Sequence, residues 1–160
     1  TYAVTQKIEK NEALLKSNEI CSSIHFVKKG AFIEINPHNE EAQIIELFIR
    51  NDWVFNQNSL TSQTASKTNI VAYIDSEIIT ISLLNFHKLS SYSNSFLQFG
   101  KILNQPNFKS ELYDNCNSPT EKYELILMKK PALLNHFPLK LIASYLKISP
   151  ETLSRVRSKF

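Results

Sequence analysis

The stretch "LKLIASYLKISPETLSRVRSKF" (Leu139–Phe160) decides how this chain reads. Leu139, Ile142, Ala143 and Leu146 recur at i, i+3, i+4 and i+7, the spacing of one apolar helix face. "KIS" (Lys147–Ser149) interrupts the period and predicts a tight turn with Ile148 directed inward. Ser149 has the chemistry of an N-cap, and Pro150 suits the first helical position. A second helix is predicted from there to Phe160. At 3.6 residues per turn, Leu153, Val156 and Phe160 fall on one stripe. Glu151, Arg155 and Ser158 fall opposite, flanked by Thr152, Ser154 and Lys159. Two short helices joined by such a turn form a helix-turn-helix, with Ala143 the small residue where they approach.

The outward face of the second helix has the chemistry of base recognition. Arg155 can donate a bidentate pair to guanine O6 and N7, and Glu151 can accept from cytosine N4. Ser154, Ser158 and Thr152 can reach bases or phosphates, and Lys159 is a phosphate partner. The capped N-terminus offers free N–H groups and the positive end of a helix dipole. Glu151 and Arg155, spaced i, i+4, could equally be an ordinary surface ion pair. Charge distribution favours the first reading. Residues 119–160 hold eight Lys/Arg against three Glu, a net +5, whereas residues 1–118 hold ten against twelve acids, a net −2. A basic terminal region on a near-neutral body suits a polyanionic partner.

Upstream, strand-length apolar runs dominate up to Leu83. "SIHFVKKGAFIEI" around Lys29-Gly30, "INPHNEEAQIIELFI" around Pro37–Glu40, and "TNIVAYIDSEIITISL" around Asp75-Ser76 each read as a hairpin. Runs recurring at this interval suit a sandwich or barrel. Only Gly30 and Gly100 are glycines. Asn in "INPHNEE", "RNDW" and "FNQNS" is therefore expected to take left-handed turn positions. "LLNFHKLSSY" predicts a short helix. "NSFLQFGKILNQPNFKSELYDN" has mostly helical spacing, interrupted by Pro106. A long helix after a small barrel has more apolar face than the barrel covers, which predicts packing against a second copy. "NCNSP" reads as a hinge, after which Ser118 caps a helix opened by Pro119 and running to Pro131.

Apolar residues make up 42% and charged residues 21%, enough for a true core and too patterned for disorder. No apolar run approaches the length of a membrane span, and the first residues lack a signal-peptide block. Cys21 and Cys116 lie far apart, which argues against a disulfide framework and for a reducing compartment. They share no metal-ligand spacing with His25, His38, His87 or His136. No His-x-His pair, Gly-x-Ser-x-Gly or phosphate-binding glycine loop is present, so an enzyme is not expected.

The frame "IA..L.IS.ETLSR" (Ile142, Ala143, Leu146, Ile148, Ser149, Glu151–Arg155) resembles the helix-turn-helix of Crp/Fnr-type bacterial transcription regulators. The order barrel, long helix, hinge, helix-turn-helix is similar too. "SPTEKYELILMKKPALL" resembles the lead-in segment of the Bacteroidetes branch. The resemblance implies that Glu151, Ser154 and Arg155 read bases and that Thr152 supports them or contacts phosphate. It also implies a homodimer reading two half-sites about one DNA turn apart. Many members carry a β-hairpin wing after the recognition helix; none is visible after Phe160, which implies fewer phosphate contacts. A leading helix and an N-terminal cysteine cluster are likewise not visible.

Relatives that bind cyclic AMP hold its phosphate with a cassette "FGE" and a later Arg-Ser/Thr pair. A buried phosphodiester needs a guanidinium fork and backbone N–H donors. In the matching stretch, "VFNQNSLTSQTASKTNIVAY", Phe55 is retained, while Asn56 and Gln57 stand for Gly and Glu. Ser66 and Lys67 stand for Arg and Ser/Thr, with Lys67 expected to face away from Ser66. The altered cassette implies that cyclic AMP is not bound. Trp53, Phe55 and Tyr73 either line an apolar pocket for another small molecule or belong to the core.

The expectation is thus an α+β chain: an N-terminal double-stranded β-helix (jelly-roll) barrel over 1–92, a dimerisation helix and hinge over 93–117, and a helix-turn-helix domain over 118–160. Its expected partners are double-stranded DNA, a second copy and RNA polymerase, in the cytoplasm, without membrane association or a cofactor. The alternative is a small-ligand-binding barrel whose helix-turn-helix is vestigial or binds protein.

Overall fold

A computed structural model describes residues 2–37, 43–92, 108–116 and 118–160. Eight strands form two antiparallel four-stranded sheets. They are β1 (Val4–Ile8), β2 (Ala13–Leu15), β3 (Ser23–Lys29), β4 (Ala31–Asn36), β5 (Gln43–Ile49), β6 (Trp53–Val54), β7 (Asn69–Ala72) and β8 (Ser76–Ser82). The sheet orders are β1-β8-β3-β6 and β2-β7-β4-β5. The α+β class and the barrel expected from the sequence are present.

Of the three expected hairpins, one exists. β4 pairs with β5 in the register Phe32↔Phe48 and Glu34↔Glu46. At the other two turns the chain changes sheet: β3 and β4 lie in different sheets, as do β7 and β8. Gly30, at φ +108°, makes the first corner, and a Cβ there would sit 2.0 Å from Ser76 Oγ. Ser76 belongs to the second corner, accepts from the Ala31 N–H at 3.2 Å and donates to Ile74 O at 2.7 Å. The two corners therefore interlock. Apolar alternation looks the same in a hairpin and in a jelly-roll crossover, because both bury one side of each strand.

Asn51 takes the expected left-handed conformation, as do Asn11 and Asn18. Asn56 does not. At φ −86° it N-caps α1 (Gln57–Ser62), a helix that the sequence reading left out. α2 (Leu83–Tyr92) follows β8 as expected. Most of the proposed dimerisation helix lies outside the described residues. Its last part is one turn of helix, α3 (Phe108–Ser110), continued by a π-helical turn over Glu111–Asn115.

α4 (Pro119–Lys129) starts at the predicted cap. Ser118 and Glu121 form a reciprocal capping box, with Pro119 at the first position. α5 (Leu133–His136), α6 (Leu139–Leu146) and α7 (Pro150–Arg157) complete the chain.

Two apolar clusters hold the molecule. The barrel interior contains Ile24, Val27, Phe32, Val54, Ile70 and Ile78. The second cluster joins Ile44, Leu47 and Ile49 of β5 to Tyr123, Ile126, Leu133, Ile142, Tyr145 and Leu153 of the C-terminal helices. One face of the barrel is thus covered by the helical part. Tyr145 is fully buried there, although it lies off the apolar stripe read from the sequence. Leu139, on that stripe, remains 36% exposed at the start of α6.

Candidate functional site: a nucleic-acid interface and a barrel cavity

α6 and α7 meet through a tight turn. Lys147 closes α6 in the left-handed conformation, φ 56°, and the Ile148 N–H donates back to Ala143 O at 3.0 Å. Ile148 is half-buried against the helical cluster, as expected. Ser149 caps α7: its Oγ accepts from the Thr152 N–H at 3.1 Å. Ala143, Leu153 and Val156 are buried, so the two helices share one apolar seam. Phe160 departs from the predicted stripe. It is 63% exposed, with its ring 5.6 Å from that of Tyr123. It lies beyond the end of α7, where the helical period no longer sets its direction.

Glu151, Ser154, Arg155, Ser158 and Lys159 are exposed, and Thr152 is half-buried. These six candidates lie together on and just beyond α7. Glu151 and Arg155 do not form an ion pair. Arg155 Nη2 instead donates to Thr152 Oγ1 at 3.3 Å, and the residue is exposed. The Glu151 carboxyl is held below the usual carboxylate range by its own backbone N–H, then by the Ser149 hydroxyl and the Arg155 charge. The Ser158 hydroxyl donates to Arg155 O at 2.8 Å.

α6 holds this unit against the barrel. Tyr145 Oη donates to Glu46 Oε1 at 2.6 Å, and Ser144 Oγ accepts from the Ile44 N–H at 3.2 Å. Lys130 Nζ reaches both carboxylate oxygens of Asp52 at 3.0 Å. Tyr113, on the π-helical turn, donates to Tyr145 O, and Lys147 lies over the Tyr113 ring at 4.3 Å. Burial pushes the Glu46 carboxyl up, against the opposing pull of the Tyr145 hydroxyl. Burial, then the Glu46 charge, drives the Tyr113 phenol up to about 12.

A cavity of about 790 Å³ lies beside this contact. All five cassette candidates line it: Phe55, Asn56, Gln57, Ser66 and Lys67. Trp53 joins them, while Tyr73 packs on Phe137 at 5.1 Å instead. Lys67 was expected to face away from Ser66. It precedes β7 rather than lying in it, so no strand alternation applies, and it reaches the cavity from an exposed position.

The polar centre of the cavity is Glu34, which the sequence reading missed. It is 7% exposed, and its Oε1 accepts from Thr68 Oγ1 at 2.6 Å and Asn56 Nδ2 at 2.8 Å. Asn56 therefore serves twice, since its Oδ1 also accepts from the Ser59 N–H. Ser66 turns inward and donates to Thr68 O at 2.8 Å. Asn56 and Ser66 are thus bonded around a carboxyl group rather than a guanidinium. The available signal was Glu34 sharing a strand face with core Phe32, a charged residue at an inward position.

No family model and no curated protein matches the sequence. Solved structures do match its fold. FixK2 from Bradyrhizobium japonicum superposes with a TM-score of 0.75 at 17% identity, covering 99% of this chain and 84% of that one. A protein from Eubacterium rectale described as a regulator of the Crp/Fnr family gives 0.63 at 16%, covering 99% and 78%. A cyclic nucleotide-binding domain containing protein from Listeria monocytogenes gives 0.68 at 14%, covering 99% and 81%. The described residues therefore share the fold of these proteins, a jelly-roll barrel followed by a helix-turn-helix.

Proposed function

We propose that this chain is a sequence-specific DNA-binding transcription regulator of Crp/Fnr type, working as a homodimer in the cytoplasm and not as an enzyme. The observation that carries this reading is the open face of α7. Glu151, Ser154 and Arg155 project from a capped helix whose opposite side is buried on α6. A helix so presented fits a major groove, with Arg155 facing a guanine and Glu151 a cytosine. Thr152 orients Arg155, and Lys159 supplies a phosphate contact. Residues 93–117 serve as the dimerisation segment, and a two-fold protein reads a two-fold site. Contact with RNA polymerase belongs to the same role.

The barrel is the effector domain and has lost cyclic AMP. A phosphodiester placed in the cassette would face Glu34 with no arginine beside it. The direct test is selection of bound sequences from a random DNA pool at moderate salt. Enrichment of a palindrome supports the regulator. Absence of enrichment, together with absence of salt-dependent binding to the upstream region of its own gene, refutes it.

No helix among the described residues is long and apolar enough to cross a membrane.

A further inference from the structure

The cavity has a chemistry that its cassette alone does not reveal. Glu34 and Glu46 are directly opposed across the β4–β5 ladder, and both line it. Facing positions of a ladder share one side of the sheet. Their surroundings differ. Glu46 Oε1 accepts from the Tyr145 hydroxyl and from the Leu47 N–H at 3.1 Å. Glu34 uses only Oε1, for Thr68 and Asn56, and both of those donors are neutral. Its Oε2 receives no hydrogen bond from the described residues, and no cationic side chain among them pairs with it. The residue is more than nine-tenths buried, and no fully buried side-chain oxygen or nitrogen among the described residues lacks a partner, so Oε2 is the part of Glu34 that opens on the cavity. Buried carboxylates are ordinarily paired with a cation, since removing the charge from water is costly.

Three lysines also line the cavity, and the charges of Lys130 and Lys109 act on Glu46, but none of the three pairs with Glu34. Lys130 is held by Asp52, Lys109 comes from α3, and Lys67 is exposed at the cassette. Aromatic rings complete the lining: Trp53, Phe48 and Phe55. A carboxylate with aromatic faces around it is a common recipe for binding organic cations. A cavity of about 790 Å³ has room for a whole organic molecule. Among the described residues no three His, Cys, Asp or Glu side chains come together as a metal site.

We infer that the barrel cavity binds a small organic cation, whose ammonium group pairs with Glu34 Oε2 and whose body packs on Trp53, Phe48 and Phe55. This rests on reading the barrel as an effector domain that no longer takes cyclic AMP. Glu46 links the site to the helix-turn-helix, since the group that faces Glu34 also accepts the hydroxyl of Tyr145 on α6.

Trp53 is the only tryptophan in the chain and lines the cavity, so its fluorescence reports occupancy. The full chain is titrated with spermidine, phenethylamine and choline as cations, adenosine as a neutral probe and cyclic AMP as an anion. At least one cation is expected to shift the emission saturably and raise Tm. Glu34→Gln should weaken that binding at least tenfold, while its amide oxygen still accepts from Asn56 and Thr68. Gln57→Lys, at an exposed position of the cavity wall, adds positive charge and should weaken it several-fold even if Glu34→Gln fails to fold. The inference is overturned if none of the three cations binds saturably, if both variants bind them as the wild type does, or if adenosine binds as tightly as the best cation. Saturable binding of cyclic AMP alone would overturn the effector reading as well. Cation binding by a protein that selects no DNA would uphold this inference and remove the regulator.

Discussion

Arg155 carries the most specific expectation. Among the described residues its guanidinium is held by one hydrogen bond, to Thr152, and by no carboxylate, so it can fork onto a base. Arg155→Ala should cost about 1–3 kcal/mol on the selected site and relax preference at one base pair. Lys159→Ala should weaken all sequences alike and lower the salt slope by about one. Binding assays on the selected site and on scrambled DNA over a salt series separate the two. If Arg155→Ala leaves the ratio between those DNAs unchanged, the recognition face is misassigned. His25 makes a second prediction. Burial lowers its pKa to about 4, and Thr80, which donates to Gln6, accepts from its Nδ1–H at 2.9 Å. The folded state thus holds His25 neutral, whereas the unfolded chain protonates it near pH 6.5. Unfolding therefore takes up a proton between those values, and stability falls as pH drops from about 6.5 toward 4. Urea midpoints across this range should decline less steeply in His25→Gln than in the wild type. Equal slopes would show that this histidine does not titrate differently on folding.

At the scale of elements, caps and corners decide more than propensity does. α7 is only eight residues long and would not persist alone. Ser149→Ala removes the acceptor for the Thr152 N–H and should cost about 1 kcal/mol in thermal unfolding. If α7 is the DNA-reading helix proposed above, the substitution should also weaken DNA binding, because the start of that helix frays. Gly30 is the corner where β3 crosses to the other sheet. Gly30→Ala combines a positive φ with a clash against Ser76, an expected loss of about 2–4 kcal/mol. A stability change below about 1 kcal/mol there would mean that the corner relaxes freely. The helix-turn-helix and both capped helices were legible because caps, turns and 3.6-residue periods are local. The sheet crossovers were not, because a strand carries no local mark of which neighbour it pairs with. α1 was missed because a six-residue polar helix shows no apolar period.

At the scale of the whole molecule, the second apolar cluster couples barrel and helices. Leu47 and Ile49 of β5 lie in the same core as Ile142 and Leu153. Calorimetry should therefore show one unfolding transition for barrel and helix-turn-helix together, since the second cluster is built from both parts and is lost to both when they separate. Two resolved transitions would show that the contact is weaker than its buried residues imply. Tyr145→Phe leaves the Glu46 carboxyl buried without its hydroxyl donor and should cost about 1–3 kcal/mol. That loss falls on the contact between the two parts, so it should also change how the recognition helix is presented to DNA.

By itself the sequence determined the α+β class of the chain and the helix-turn-helix over its last residues, and it pointed to six candidate residues on and beyond α7, because each rests on local periodicity, capping and composition. Only the tertiary structure decided which strands change sheet, that Tyr145 is core while Phe160 is not, and that Glu34 lies beside a cavity with no cation among the described residues paired to it. Those facts depend on residues far apart in the chain meeting in space: Glu34 meets Thr68, Glu46 meets Tyr145, and Asp52 meets Lys130. Sequence spacing carries no trace of such meetings, which long-range packing alone creates.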